Sequence, residues 1–458
     1  MALTLVWQLA LWLTVLGCTV SAKPVAGAVL DRRAAPALPS RDAFYRVPDD
    51  LDSHAPGAIL RHRSPPSPMA ALGSRVVHLH ASHQLLYRTT DGLDKATATV
   101  LTVLVPRNAN YSKVLSYQVA EDSASINCAP SYAFQLGHDP GPGDGTKATQ
   151  GELFLVEAAL EQGWVVIVPD HLGPGGAFLA NVLSGRATLD GIRAASNSGA
   201  LTGISTKPTV TMWGYSGGSL ATMFAAELQP SYAPEVEVAG AAVGGIVPSI
   251  MTVLRQVNGT ASAGLIPPGM LGLAHQYPRV DALLRRHVLP GRREYFYKAA
   301  RQCLTANLDA YANQDISRVF DEPDSVLGDP AVAAIMDDND PGRRAPRIPM
   351  FVYKAVRDEV SPVAETDALV RGYCGAGASI EYLRDESANH GTLAVVAAPE
   401  ALSWLRGRMD GQGRPTSCST RTVFSALLEP GALALVPKVL LDAILDLLGK
   451  RVGPFTRG

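Results

Sequence analysis

The sequence has little net charge. Among 458 residues, 40 basic and 42 acidic side chains leave a net charge of −2 at pH 7, and the two signs are interspersed along the chain. Because nucleic acids and anionic membranes are bound through extended basic surfaces, this balance argues against both as partners recognised by charge. We expect recognition of a small molecule at a local site instead, and nothing in the sequence indicates an obligate protein partner.

A hydrophobic run long enough to span a membrane comfortably is also missing. The apolar stretch from Leu3 to Leu16 is too short, and the small residues Val20-Ser21-Ala22 follow it. This pattern is typical of a secretory signal peptide, although the α-amino group supplies the only positive charge before the apolar run; a buried N-terminal helix is the alternative. We predict cleavage near Ala22, secretion, and a pro-segment or wrapping segment over 23–68.

Cysteines are few, five in the whole chain. Loss of Cys18 with the signal peptide would leave four, an even number that predicts two disulfides in an oxidising compartment. Three pairings are open, and spacing favours Cys374–Cys418 together with Cys128–Cys303; four reduced and buried cysteines are the alternative. No pair has the spacing of zinc ligands, so no metal is expected.

Two glycosylation sequons begin at Asn110 and Asn258. Secreted proteins are glycosylated at such asparagines when they lie on the surface. We therefore predict a glycan at each of these two positions.

Hydrophobic residues are abundant, at 47% of the chain, which is enough for a large core. Apolar runs between Arg75 and Arg107 predict antiparallel hairpin strands. From Val114 to Val243, strand-like runs alternate with helix-like segments, which indicates a parallel sheet covered on both faces. The strand pattern then stops, and it returns at Pro349–Tyr353 and Ser379–Leu383.

This distribution predicts an α/β chain that is divided by an insertion. We assign 69–244 and 341–420 to the body, and 245–340 to a helical cap over the sheet edge at which ligands bind. In the C-terminal segment 421–458, Pro437–Gly449 has the pattern of an amphipathic helix. Docking against the body or cap is the expected role of this helix, and contact with a lipid surface is the alternative.

The stretch Thr209–Phe224, TVTMWGYSGGSLATMF, holds a Gly-x-Ser-x-Gly pattern between a strand-like run and a helix-like segment. The five-residue pattern is weak alone, since chains rich in glycine and serine contain it by chance. A sharp strand-to-helix turn, however, strains the central serine and exposes its hydroxyl, while the flanking glycines let strand and helix approach closely. This context predicts that Ser216 is a nucleophile.

A serine nucleophile needs a histidine as its base, and in this kind of turn the histidine comes after the serine in the chain. Three histidines do so. His275 and His287 lie in the predicted cap, whereas His390 follows the strand-like run Ser379–Leu383. We therefore predict that His390 is the base.

The histidine must in turn be oriented by an acid located between the cap and His390. Asp358 and Glu359 compete in the loop that follows Pro349–Tyr353, with Asp367 and Asp385 as less suitable positions. We prefer Asp358, because its shorter side chain lies nearer the strand and would hold an imidazole more rigidly.

Acyl transfer also needs hydrogen-bond donors for the developing oxyanion. The N–H of Gly217, at the start of the helix after the nucleophile, is one candidate. The glycine-rich loop after the strand-like run Trp164–Pro169 begins with Asp170, which is the second candidate. An ionised carboxylate would repel an oxyanion, so Asp170 can act only through its N–H or as a protonated acid; a role as a turn or cap residue is the alternative.

Six motifs accompany these choices: Asn127-Cys-Ala-Pro-Ser-Tyr132, Pro169-Asp-His-Leu-Gly173, Gly214-Tyr-Ser-Gly-Gly-Ser219, Gln229-Pro-Ser-Tyr-Ala-Pro234, Arg357-Asp-Glu-Val360 and Asn389-His390. Together, over 47–418, they resemble the fungal secretory lipases of the lipase A type. The resemblance also takes in esterases that deacylate secondary metabolites, such as the trichothecene esterases of mycotoxin pathways.

This resemblance implies an α/β-hydrolase fold with a helical cap and the hydrolysis of carboxylic esters of hydrophobic acids, without metal or cofactor. A metabolite deacetylase, a non-catalytic binding protein of the same fold and a serine peptidase are the alternatives. The residues that the resemblance implies are the triad Ser216, Asp358 and His390, the oxyanion site Gly217 and Asp170, and the disulfides Cys128–Cys303 and Cys374–Cys418.

Overall fold

The computed structural model describes residues 35–72, 75–138, 145–322, 324–413 and 417–429. The predicted signal peptide and the predicted C-terminal helix Pro437–Gly449 lie outside the described residues. No helix in the described ranges combines the length and the apolar character needed to cross a membrane.

A mixed sheet of ten described strands organises the body. Nearly continuous apolar runs such as WVVIVP form its centre, because a strand covered on both faces has no position for a solvated side chain. The strands are β1 (Ile59–Arg63), β2 (Ala81–Thr90), β3 (Ala96–Val105), β4 (Asn110–Gln118), β5 (Trp164–Pro169), β6 (Thr209–Tyr215), β7 (Val238–Gly244), β8 (Met350–Ala355), β9 (Ile380–Asp385) and β10 (Ser419–Val423).

The spatial order of the strands is β1-β2-β3-β5-β4-β6-β7-β8-β9-β10. The pairs β1/β2, β2/β3 and β3/β5 are antiparallel. From β5 onward in this spatial order, each successive pair is parallel. Strand β4 lies between β5 and β6, so the segments after β4 and after β7 flank the turn after β6.

Helices pack on both faces of the sheet, and successive strand residues point to opposite layers. In β5, Val165 and Ile167 belong to one apolar cluster and Val166 and Val168 to the other. The helices of the body are α1 (Pro130–Ala133), α2 (Lys147–Gly151), α3 (Leu153–Leu160), α4 (Asn181–Asn197), α5 (Gly199–Thr202), α6 (Gly217–Tyr232), α13 (Val363–Gly375), α14 (His390–Val396) and α15 (Ala398–Met409), with α7 to α12 described next.

Between β7 and β8 the chain forms helices that enclose a separate apolar cluster. The cluster joins cap side chains such as Leu254 and Met270 to Phe178, Leu179 and Leu220 of the body. The predicted insertion over 245–340 falls in this helical segment, while its boundaries as a domain stay a prediction. The helices are α7 (Ile250–Val257), α8 (Ile266–Gln276), α9 (Pro278–His287), α10 (Arg293–Tyr297), α11 (Leu304–Tyr311) and α12 (Pro330–Asn339).

The N-terminal segment does more than wrap the body. Its residues Phe44, Tyr45 and Leu51 pack on the sheet at Leu86 and Val100. The same segment also supplies β1, which pairs antiparallel with β2 as an edge strand. The strand has only five residues and is flanked on both sides by proline-rich segments, so the sequence pattern does not predict it.

Two disulfides join the four described cysteines, in the pairing that the resemblance implies. Cys128 and Cys303 have their Cα atoms 5.5 Å apart, and Cys374 and Cys418 have theirs 6.0 Å apart. The first bridge connects the loop after β4 to the helical segment between β7 and β8.

The two sequon asparagines differ in their surroundings. Asn110 is exposed at the start of β4. Asn258 is half-buried, and its amide donates to Asp315 Oδ1 at 2.8 Å and accepts from the Ile316 N–H at 2.7 Å. Glycosylation at either position stays a prediction.

Candidate active site

Ser216 occupies the turn between β6 and α6 with a φ of 50°, in the left-handed region that side chains other than glycine rarely adopt. Such a conformation costs roughly 1–3 kcal/mol and persists only where the surroundings enforce it. One such constraint is the hydrogen bond of 2.9 Å from the Ser216 N–H to Gly244 O. The geometry is that of a strained nucleophile turn, as the sequence pattern predicts.

The glycines on either side of this turn are required by close backbone contacts. A Cβ at Gly214 would lie 2.2 Å from Gly218 O, and a Cβ at Gly218 would lie 2.0 Å from Gln118 O. Neither contact can relax, because both neighbours are backbone atoms. The spacing of glycine, serine and glycine is therefore fixed by the packing of α6 against β4 and β6.

His390 lies between Ser216 and Asp358. Its Nε2 is 2.8 Å from Ser216 Oγ, and its Nδ1 is 2.8 Å from Asp358 Oδ2. The structure thus brings together three residues from the loops after β6, β8 and β9, in the arrangement of nucleophile, base and orienting acid.

The backbone of His390 is held from three directions. Asn389 and Thr392 form a capping box at the start of α14. The His390 N–H donates to Glu359 Oε2 at 2.9 Å, and its carbonyl accepts from the Tyr215 hydroxyl. These contacts fix the backbone position from which the imidazole extends to Ser216.

The other three candidate acids are engaged elsewhere. Glu359 binds the backbone N–H of His390 and not its ring. Asp367 accepts from the Tyr382 hydroxyl at 2.9 Å, and Asp385 accepts from the Ala388 N–H at 2.8 Å. Of the four, the structure places only Asp358 at the imidazole.

Asp358 is held in its ionised form. Its side chain is fully buried, and its Oδ1 accepts the N–H groups of Val360 and Ser361 at 2.9 and 2.8 Å. Burial would raise the pKa of Asp358, but the hydrogen bond and charge of His390, with the charge of Lys354, hold that pKa well below its usual range. A carboxylate in this state can orient the imidazole and stabilise its protonated form.

The structure corrects the expectation for Asp170. Its N–H donates to Val100 O at 2.8 Å, and its carboxylate accepts from the Ser131 N–H at 2.9 Å and from Ser131 Oγ at 2.5 Å. It follows β5, which is separated from the nucleophile strand by β4. Asp170 therefore ties the loop after β5 to α1 and has no N–H left for an oxyanion.

Asp122, which the sequence reading missed, lies where a second donor is needed. It follows β4 and lines the same cavity as Ser216 and Gly217. A Cβ at Gly217 would lie 1.8 Å from Asp122 Oδ1, so the two residues are in direct contact. Asp122 also has a φ of 42°, a strained conformation like that of the serine.

Burial raises the pKa of Asp122 to about 7, although the charge of His390 lowers it. Below that pH the carboxyl is protonated and can donate a hydrogen bond. The Gly217 N–H, in the first turn of α6, adds a backbone donor beside it. The pair can thus serve a developing oxyanion at Ser216.

A cavity opens beside Ser216. Apart from Asp122, Ser216 and Gly217, its walls are apolar side chains from α6, α7 and the adjoining loops: Phe178, Leu179, Leu220, Val247, Ile250, Val253, Leu254, Leu265 and Val360. Such a wall accommodates a hydrocarbon group next to the nucleophile.

Residues 142–416 match the family model described as secretory lipase. The chain is 47% identical to Lipase A of Arthroderma benhamiae, over 98% of this chain and 96% of that protein. The chain belongs to the secretory lipase family. Another family relative, Lipase 5 of Candida albicans, is 36% identical over 90% of each chain.

The fold of this secretory lipase chain is also similar to that of a solved structure. Candida antarctica lipase A in its closed state superposes with a TM-score of 0.80 at 27% identity, covering 93% of this chain and 100% of that one. The large mixed sheet with helices on both faces agrees with this similarity. The expected α/β-hydrolase fold is confirmed.

Proposed function

We propose that the protein is a secreted serine hydrolase that cleaves carboxylic esters through an acyl-enzyme. The observation that carries the proposal is the continuous hydrogen-bonded line from Asp358 Oδ2 through His390 to Ser216 Oγ, at a strained turn beside an apolar cavity. Membership of the secretory lipase family supports the ester as substrate. Two disulfides support an oxidising, extracellular destination.

In the first half of the reaction, His390 Nε2 takes the proton from Ser216 Oγ as the oxygen attacks the ester carbonyl. The oxyanion that forms is stabilised by the Gly217 N–H and by Asp122. His390 then passes its proton to the departing alcohol, and the acyl group remains on Ser216. In the second half, His390 deprotonates a water molecule as its oxygen attacks the acyl carbonyl. The bond to Ser216 Oγ then breaks, His390 returns its proton to that oxygen, and the acid leaves.

Labelling with a p-nitrophenyl alkylphosphonate tests this assignment. We expect one equivalent of p-nitrophenol per protein, loss of esterase activity in the same proportion, and a phosphonylated peptide that contains Ser216. The reagent reacts because an activated serine attacks phosphorus as it attacks a carbonyl. Full activity after stoichiometric labelling, or a label on another residue, would contradict the proposal.

We propose a hydrophobic acyl group as the part of the substrate that enters the cavity. Val253 on α7 contributes to the cavity wall, and Arg255 on the same helix is exposed. Val253→Trp should narrow the cavity and lower kcat/KM for p-nitrophenyl octanoate by about tenfold or more, since each buried methylene contributes about 0.8 kcal/mol. Hydrolysis of p-nitrophenyl acetate should change by less than about threefold, because two carbons lose little buried area.

Arg255→Trp is the matched control, and it should leave the dependence on acyl length unchanged. Equal losses on acetate and octanoate in Val253→Trp would contradict the assignment of the cavity to the acyl group. A wild-type enzyme with a sharp preference for acetate would favour the alternative function, deacetylation of a secondary metabolite. Acetylated terpenoids would then be the substrates to compare with glycerides.

A further inference from the structure

A buried lysine lies beside the triad and has no role in the steps above. Lys354 is on β8, and its side chain has no exposed surface. Its Nζ is 2.9 Å from Asp358 Oδ2 and donates to Ile246 O at 2.8 Å. Lysine is almost never fully buried unless it is paired, and here the partner is the acid of the triad.

The ammonium of Lys354 and the imidazole of His390 share one oxygen atom. His390 Nδ1 approaches Asp358 Oδ2 at 2.8 Å, and Lys354 Nζ approaches the same oxygen at 2.9 Å. The other oxygen, Oδ1, is occupied by the N–H groups of Val360 and Ser361. The negative charge that would stabilise a protonated imidazole is therefore already paired with a cation.

We propose that Lys354 is a positioning residue that extends the activity of the enzyme to lower pH, by partly neutralising the carboxylate that holds His390. The proposal rests on the triad of the proposed function. With a neutral imidazole, Asp358 and Lys354 together carry no net charge. Protonation of His390 then adds a positive charge to a buried neutral pair, whereas without Lys354 it would neutralise a buried carboxylate. The cation beside the carboxylate thus opposes the positive charge that a base at this position acquires, and we expect activity to extend to a lower pH than it would without Lys354.

The other titratable groups that act on this cluster in the described part of the chain are acids and a tyrosine. Glu359 and Glu365 face Lys354, Tyr215 faces Asp358, Asp122 faces His390, and Glu359 also accepts from the His390 N–H. Arg357, next to Asp358 in the chain, is exposed. Glu359 is exposed, so salt screens its effect more than that of the buried lysine. Burial lowers the pKa of Lys354, and its contact with the ionised Asp358 opposes that shift.

Lys354 also has a structural contact, which the experiment has to separate from its charge. Through Ile246 O it joins β8 to the loop after β7, and Val247 in that loop lines the cavity. Loss of this bridge alone would reduce stability or reduce activity by the same factor at every pH. A change in the charge around His390 would instead move the acid limb of the pH profile.

The test is the pH dependence of kcat/KM for p-nitrophenyl butyrate between pH 4 and 9. In Lys354→Met we expect the acid limb to move up by about one pH unit, the lower end of the effect of a neighbouring charge. The ratio of kcat/KM at pH 5 to kcat/KM at pH 8 should therefore be roughly tenfold lower in the variant than in the wild type. Lys113→Met is the matched control. It breaks an ion pair of 2.6 Å with Asp410, far along the sheet from the active site, and should reproduce the wild-type pH profile.

Glu359→Gln provides a comparison of opposite sign. It removes a negative charge next to His390, so its acid limb should move to lower pH. This shift should be smaller than the upward shift in Lys354→Met, because Glu359 is exposed. Lys354→Gln keeps neutral donors toward Ile246 O and should reproduce the upward shift. It also replaces the methionine variant if that variant does not fold.

An acid limb that coincides in Lys354→Met, Lys354→Gln and the wild type would overturn the inference, whatever happens to the overall rate. Failure of both variants to fold would overturn it as well, because a structural role would then account for the residue. The proposed function is tested separately by Ser216→Ala. Activity that survives in Ser216→Ala removes both proposals, whereas an inactive Ser216→Ala with an unshifted Lys354→Met removes only this one.

Discussion

Replacing Ser216 by alanine is expected to lower kcat/KM for p-nitrophenyl butyrate by roughly 10⁴-fold or more. Alanine removes the oxygen that attacks the ester and leaves the rest of the site in place. In the described part of the chain, the Ser216 hydroxyl has one side-chain hydrogen bond, to His390 Nε2. The free energy of unfolding should therefore change by only about 1 kcal/mol in the variant. The measurements are steady-state kinetics with matched thermal unfolding.

A serine on the same helix, Ser231, offers a control for this substitution. Its Oγ donates to Leu228 O at 3.2 Å near the end of α6, away from His390. Ser231→Ala should keep the wild-type rate. Turnover by Ser216→Ala above about a tenth of the wild-type rate, in a preparation freed of contaminating esterase, would rule out this serine as the nucleophile.

Substitution of Asp122 should give the next largest loss of rate. Removal of one oxyanion donor typically lowers kcat by about 10²–10³-fold, and we expect this range for Asp122→Ala. Asp122→Asn should lose less, because asparagine tolerates a φ of 42° better than alanine and its amide can donate as a protonated carboxyl does. The ratio of kcat in Asp122→Asn to kcat in Asp122→Ala, measured at pH 6, gives the contribution of a side-chain donor at this position.

The same residue predicts an alkaline loss of activity in the wild type. Because burial raises the pKa of Asp122 to about 7, its carboxyl is protonated below that pH and ionised above it. The ionised form repels an oxyanion, so kcat should fall as the pH rises through about 7, and Asp122→Asn should abolish this fall. Asp170 accepts from the Ser131 N–H instead, so the control variant Asp170→Asn should keep the alkaline fall in kcat. A kcat within threefold of wild type in Asp122→Ala would exclude Asp122 from the oxyanion site.

The proposed catalytic serine, histidine and acid can be predicted from the sequence because each depends on short-range patterns. The nucleophile turn needs only a strand, two glycines and a helix, and all lie within Thr209–Phe224. His390 and Asp358 then follow from chain order and from the strands before them. The structure brings these three side chains together as that reasoning expects.

Asp122, the proposed oxyanion residue, could not be found in the same way, because its position depends on the spatial order of the strands. Sequence order places β5 nearer to β6, which favours the loop that begins at Asp170. The sheet instead inserts β4 between β5 and β6, so Asp122 reaches Gly217 and Asp170 does not. A signal was present, since the adjacent acids Glu121 and Asp122 come shortly after the buried end of β4, but its value depends on knowing which strands are neighbours.

Edge strands were missed for a different reason. Ser419–Val423 is exposed at most of its residues and lacks the apolar run that marks a buried strand. Ile59–Arg63 has exposed and half-buried residues between proline-rich flanks. Both strands owe their conformation to pairing with an existing sheet edge, which no local pattern encodes.

The bridge between Cys128 and Cys303 limits how substrate can reach the serine. Cys128 is close to Asp122 in the chain, and the Ser123 hydroxyl contacts both Cys128 Sγ and Gln302 O. The part of the cap near Cys303 therefore stays attached to the loop that carries Asp122 while the two Cα atoms remain 5.5 Å apart. Any opening of the cap over the cavity must leave this corner in place.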